Sequence, residues 1–123
     1  MFKKLKANNY DYDLQNNSIF FYNDGHKYKE SIDADGIILD FSEDDKIMGI
    51  EILGASEKFN VSKSDLLNIK DFNAKIEISK ENIEVAIKMK IIKRNQLIAG
   101  SLDAITINNP HFPTGTQNLA LAC

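Results

Sequence analysis

Two carboxylates, Asp40 and Glu51, have the types and spacing best suited to chemistry in this chain. If residues 36–53 fold back on themselves as a hairpin, the two acids become diagonal neighbours on one face. Paired carboxylates can hold a divalent cation that activates water or polarises a bound oxygen. One reading is therefore a small metal-dependent hydrolase or ligand-binding domain using Asp40 and Glu51. A hairpin Asp followed by Glu-x-Lys would point further, to a nuclease core. Here Glu51-Ile52 is followed by Leu53, and the surroundings are acidic, which argues against that activity. The plainer reading is two acids on a solvated sheet face, and it is favoured.

The other reactive residues form no set. His26 lies beside a turn signal and His111 lies between two prolines, so both are expected on surface loops. Neither has the nucleophile motif that a Ser-His-Asp triad would need. Cys123 is the sole cysteine. It allows no intrachain disulfide, fits a reducing compartment, and with two histidines falls short of a structural zinc site. Asp33-Ala-Asp35-Gly36 has the start of a calcium loop but not its third acid or closing Glu, so a turn with Asp bonding the backbone is expected. No phosphate loop or dinucleotide fingerprint occurs. No catalytic residue, cofactor or metal is assigned, and an enzyme is the weaker expectation.

Charge divides the chain unevenly. Residues 1–7 carry three lysines, residues 8–57 carry twelve acids against three lysines, and residues 58–123 carry nine bases against six acids; the sum is −3. So acidic a first half disfavours nucleic acid as a partner and suits a basic protein. The opening Met-Phe-Lys-Lys-Leu-Lys is not followed by the apolar run of a signal peptide, and no stretch has the ~18 apolar residues of a membrane helix. A cytoplasmic protein without membrane association is expected.

The elements that must position Asp40 and Glu51 are legible. At 123 residues the chain is expected to be a single domain. It has an N-terminal hairpin sheet over residues 8–57, a linker with a short helix over 58–72, a β meander over 73–108 and an irregular tail over 109–123. Ser18-Ile-Phe-Phe-Tyr22 is rich in strand formers and runs into the turn signal Asn23-Asp24-Gly25. A second strand spans Lys27 to Asp33 and ends at Asp35-Gly36. Two more flank Glu43-Asp44-Asp45-Lys46. With Asp44-Asp45 as a two-residue loop, Phe41 opposes Met48, Leu39 opposes Ile50 and Ile37 opposes Ile52, which gives one wholly apolar face. The other face holds Ile38, Asp40, Ile47, Gly49, Glu51 and Leu53. A slip of one residue would set apolar side chains opposite acids.

Gly54 to Phe59 can form a helical turn. Ser62-Lys-Ser-Asp65 has the form of a capping box and predicts a short helix near 63–70. Beyond it, Lys75–Lys80, Ile83–Lys93 and Gln96–Asn108 alternate as three antiparallel strands. Loops at Glu81-Asn82 and Arg94-Asn95 set Ile78 opposite Val85, Ile76 opposite Ile87, Ile91 opposite Ile98 and Ile87 opposite Leu102. Gly100 then lies opposite Met89, and Glu77 and Asp103 lie near Lys88 on a solvated face. Phe112 is expected to anchor the tail. The fold class is mainly β (α+β). About four short strands, one short helix and the meander pack as a sandwich or partial barrel, or across a dimer axis.

Residues 10–57 resemble the domain of unknown function 2283 family. The resemblance lies in the ordered set Tyr10-Asp-Tyr-Asp13, Ser18-Ile-Phe-Phe-Tyr22, Glu30-Ser-Ile-Asp33, Gly36-Ile-Ile-Leu-Asp40 and Ile47-Met-Gly-Ile-Glu-Ile-Leu53, closed by Ala55-Ser56. Asp44-Asp45-Lys46 stands where the family often has a turn glycine. The resemblance implies a small β-rich protein with no established activity, and a binding or antitoxin-like role. It carries over no catalytic residue. The expected function is a protein-binding or structural module whose partner is a basic protein or a second copy.

Overall fold

A computed structural model describes the backbone of residues 2–6, 9–23 and 27–122, and the side chains of 10–23 and 27–120. His26 and Cys123 lie outside the described residues. In chain order the strands are β1 (Phe2–Lys6), β2 (Asn9–Asp13), β3 (Ser18–Tyr22), β4 (Tyr28–Ala34), β5 (Ile37–Ser42) and β6 (Ile47–Leu53). Helix α1 (Ala55–Phe59) and a 3₁₀ turn (Ser64–Leu67) follow. The remaining strands are β7 (Ile69–Ile78), β8 (Asn82–Lys93), β9 (Gln96–Ile107) and β10 (Gly115–Ala122). They form two five-stranded sheets, ordered β2-β3-β6-β5-β4 and β1-β10-β7-β8-β9.

The mainly β class and the hairpin sheet stand. The N-terminal sheet has five strands rather than four, because Asn9–Asp13 pairs along Ser18–Tyr22. The expected three-stranded meander is part of a larger sheet. The irregular tail is corrected: Gly115–Ala122 is a strand, antiparallel to β7 and parallel to β1. One parallel pair thus sits in an otherwise antiparallel sheet. Phe112 is buried and stacks on Phe41 with ring centroids 4.1 Å apart, so it holds the segment before β10 as expected.

The core lies between the sheets. Ile19, Phe21, Leu39, Phe41, Ile50 and Ile52 face Phe72, Ile76, Ile83, Val85, Ile87 and Leu119 in one apolar cluster. Phe21 and Phe72, from opposite sheets, stack at 3.5 Å between centroids. Alternation buries one face of the inner strands, as in β3, β7 and β8, while along β9 the same face is only half-buried. Polar links cross the same gap. The Gln117 amide accepts from the Ile47 N–H at 2.8 Å and donates to the Asp45 carbonyl at 2.9 Å, tying β10 to the β5–β6 turn.

The linker differs from expectation. The α-helix is the turn at 55–59, while 63–70 holds only the 3₁₀ turn and the first residues of β7. The capping box forms nonetheless: the Ser62 N–H donates to Asp65 Oδ2 at 3.0 Å and the Asp65 N–H donates to Ser62 Oγ at 3.3 Å. Ile69 is drawn into the core, which ends the helical path early. Helix α1 is capped from a distance. The Asn17 carbonyl accepts from the Ala55 N–H, and Asn17 Oδ1 accepts from the Ser56 N–H at 3.1 Å.

Two registers are also corrected. Between β5 and β6, Leu39 opposes Ile50 and Ile37 opposes Ile52 as expected, but Phe41 opposes Ile47 rather than Met48. Asp45 adopts a positive φ of 59°, and the Ser42 N–H donates to the Lys46 carbonyl, closing a three-residue loop. The extra residue is absorbed at Met48 as a bulge, which moves Ile47 into the core. Between β7 and β8 the loop is Lys80-Glu81, so Ile78 opposes Ile83 and Ile76 opposes Val85. This shift of two residues keeps every side chain on its face. It also moves Glu77 away from Lys88; Glu77 lies opposite Glu84 and pairs instead with Lys75 at 2.8 Å. The β8–β9 pairs, including Met89 with Gly100, are as expected.

Candidate functional site

The outer face of the first sheet is where the expected site residues meet. Strand alternation turns Asp11 and Asp13 of β2, Phe20 and Tyr22 of β3, Glu51 of β6, Asp40 of β5 and Asp33 of β4 away from the core. Register aligns them in rows: Asp11 lies opposite Phe20, Phe20 opposite Glu51, Glu51 opposite Ile38, and Ile38 opposite Asp33. The next row runs from Tyr22 through Gly49 and Asp40 to Ser31. Asp40 and Glu51 are thus diagonal neighbours, as the hairpin reading requires.

Asp40 is half-buried. It accepts a hydrogen bond from Ser31 Oγ at 2.5 Å, and Tyr28 Oη lies 2.7 Å from the same serine oxygen. Burial pushes the Asp40 carboxyl above the usual carboxylate range, and the Ser31 hydroxyl opposes that shift. Gly49 makes the approach possible. A Cβ there would lie 3.0 Å from the Phe20 ring and 3.1 Å from Asp40 Oδ2. Phe20 stacks on Tyr22 with centroids 4.8 Å apart, and Tyr22 Oη donates to Asp11 Oδ2 at 3.3 Å.

The face therefore combines an aromatic pair with five carboxylates. Among the described residues, its regular outward strand positions hold no lysine or arginine. Lys29, at the β4 bulge, is committed to Asp45 at 2.8 Å. Lys58 sits at the corner, donating to the Leu53 carbonyl and covering Gly36. Among the described residues, no group of three His, Cys, Asp or Glu is placed to hold a metal ion. His111 is on an exposed loop at positive φ. The sequence marks Asp40 and Glu51; in the sequence the Phe20–Tyr22 pair, which lies between them and Asp11, is visible only as strand formers. Its signal was the alternation itself, which sets Phe20 and Tyr22 opposite in direction to Ile19 and Phe21.

A small, two-sheet β protein with an acidic outer face is the class this geometry defines. The family model "Protein of unknown function (DUF2283)" matches residues 9–56, and the chain belongs to that family. It is 55% identical over 114 residues, 93% of each chain, to a Methanosarcina mazei protein named "Putative hypoxanthine phosphoribosyltransferase". It is 43% identical over 89 residues to an uncharacterised protein of Methanocaldococcus jannaschii, covering 72% of this chain and 77% of that one. No solved structure matches it. No helix among the described residues is long and apolar enough to cross a membrane.

Proposed function

We propose that the protein is a binding module, and that the outer face of its first sheet receives a basic protein in an antitoxin-like manner. The observation that carries this reading is the arrangement of Asp11, Asp13, Asp33, Asp40 and Glu51 around the Phe20–Tyr22 pair, with no cation in the regular outward positions described. Aromatic rings supply contact area at low entropic cost, and carboxylates that accept only from neutral donors, as Asp11, Asp13, Asp33 and Asp40 do, keep the charge that steers a cationic partner. The runner-up, a divalent cation held by Asp40 and Glu51, meets a competing demand: Asp40 already serves Ser31 and its burial favours the neutral form.

The name of the M. mazei relative would call for a phosphate-binding cradle. Such cradles commonly use free N–H groups at a helix N-terminus. Here α1 has five residues, and Asn17 already accepts from its first two N–H groups. That site is taken, so phosphoribosyl transfer is not the reading adopted.

The test is affinity capture from the native host with wild-type chain and with Asp11→Lys/Glu51→Lys. A basic protein should be retained by the wild type, released by moderate salt, and lost with the charge reversal. Capture that survives the reversal would overturn the reading. Calorimetry with Mg²⁺, Mn²⁺ and Ca²⁺ should give no heat; heat abolished by Asp40→Asn would favour the runner-up.

A further inference from the structure

The long edge of the second sheet is unlike the other edges. Strand β9 has twelve residues, no proline, and one charge, Asp103. Its pairing with β8 runs without a bulge from Lys93–Gln96 to Asn82–Ile107. It leaves Leu97 64%, Ile105 55% and Ile107 63% exposed. Soluble proteins normally blunt such edges with charge, proline or bulges.

The register shows which backbone groups are free. Arg94 and Asn95, both at positive φ, make the two-residue turn that bonds Lys93 to Gln96. At the other end the Asn108 N–H donates to the Glu81 carbonyl. Hydrogen bonding to β8 alternates along an antiparallel pair, so the even-numbered residues of β9 take it. Leu97, Ala99, Ser101, Asp103, Ile105 and Ile107 therefore turn their N–H and C=O groups outward, and their side chains share the outer face.

This edge is complementary to itself. We infer that β9 pairs antiparallel with β9 of a second copy about a two-fold axis at Leu102, which joins the two second sheets. This goes beyond the acidic-face reading and stands on the other sheet. In that register Leu97 opposes the partner's Ile107, Ala99 opposes Ile105, and Ser101 opposes Asp103. On that outer face each apolar residue meets an apolar one, and each carboxylate meets a hydroxyl. Lys88, beside Ser101 in its own sheet, is on the row that leads to the partner's Asp103. Sliding the copies by two residues fails either way. One slide sets Asp103 against Asp103; the other sets it against Ala99 and Ile107 against Asn95. A foreign strand would have no reason to match this pattern.

Light scattering on the full chain should give the mass of a dimer at about 100 μM. Ser101→Pro removes an N–H that faces the edge rather than β8, so it should halve the mass while leaving the far-ultraviolet circular dichroism of the folded chain essentially unchanged. Ile105→Lys is the second variant, with the same expected monomer. In a Cys123→Ser background, oxidation should cross-link Leu102→Cys far more than Ser101→Cys or Asp103→Cys, because Leu102 alone faces its own copy. A monomeric wild type, a dimer that survives both edge variants, or cross-linking strongest at 101 or 103 would overturn the inference. Capture of the basic protein by the Ser101→Pro monomer is measured separately, so loss of the dimer and loss of the acidic-face reading are distinguishable.

Discussion

The two sheets share one core but meet solvent in opposite ways. The first has short strands, an acidic outer face, and edges guarded by length or irregularity: β2 has five residues, and β4 carries a bulge at Lys29. The second has β8 and β9 at twelve residues each, mixed charge on its outer face, and an edge with a single carboxylate. Face and edge are separate means of recognition. A charged face selects by complementarity at long range, whereas a bare edge selects by backbone pairing and side-chain register. The family model covers the first sheet and stops before the second, so the family pattern and the long edge lie on different sheets.

The strongest way to break this contrast is to sever what the sheets share. Phe72→Ala removes half of the Phe21–Phe72 stack and should cost about 3–5 kcal/mol. Melting followed by near- and far-ultraviolet circular dichroism should show one earlier transition; two separated transitions would mean that the sheets are independent. Next in size, Gly49→Val tests how the acidic face is built. A side chain at Gly49 must displace Phe20 and Asp40, for an expected loss of about 1–3 kcal/mol in urea unfolding. A neutral result would show that the Phe20–Asp40 approach is loose. Asn17→Ala should cost about 1 kcal/mol, since it removes the remote cap of α1 and the acceptor for Tyr12 Oη.

The smallest effects are sharpened by pH. Asp40 has its carboxyl pushed up by burial, so its ionised form works against folding. Its favourable contribution is full below the unfolded carboxyl pKa and is lost as pH rises through the folded value. Asp40→Asn should therefore match wild type in strong acid and be slightly more stable at neutral pH, by under about 1 kcal/mol. Asp65 behaves in the opposite sense. The Ser62 N–H and hydroxyl, with Lys93 at 3.2 Å, hold its carboxyl below the usual range. Its contribution is present above the unfolded pKa and lost as pH falls through the folded one. Asp65→Asn should be destabilising at neutral pH and converge with wild type in acid. Paired melting curves from pH 2 to 7 would expose an error in either sign.

Much of this was readable from alternation alone. Leu39, Ile50, Ile37 and Ile52 could share a face only one way, and that placed Asp40 and Glu51 correctly. Arg94-Asn95 fixed the β8–β9 register because Asn95 suits the positive φ of a tight turn, and Arg94 adopts it alongside at 52°. Where loop chemistry was ambiguous, the register went astray. Asp45 takes a left-handed conformation without being glycine, and only the bulge at Met48 reconciles the loop with the strands. Lys80-Glu81 and Glu81-Asn82 differ by a shift of two, to which facial pattern is blind. Strand β10 was missed because Thr116, Asn118 and Ala120 give it little apolar contrast and two prolines precede it. Its assignment depends on β7 and β1, which lie far away in sequence. The Phe20–Tyr22 pair was hidden for a related reason: aromatic residues serve equally as strand formers and as contact surface.

The position of β10 also constrains the order of assembly. Strand β1 has β10 as its sheet neighbour, and β10 lies between β1 and β7. During synthesis β1 must wait for its neighbour β10 until more than a hundred residues have followed it. The first sheet and the β7-β8-β9 meander can form from hairpins meanwhile, but β1 stays apart from the meander until Gly115–Ala122 is inserted between them. High sequence separation of this kind slows folding. A nascent or truncated chain lacking β10 would present two unsatisfied edges, those of β1 and β7, at the stage when aggregation and proteolysis compete with folding.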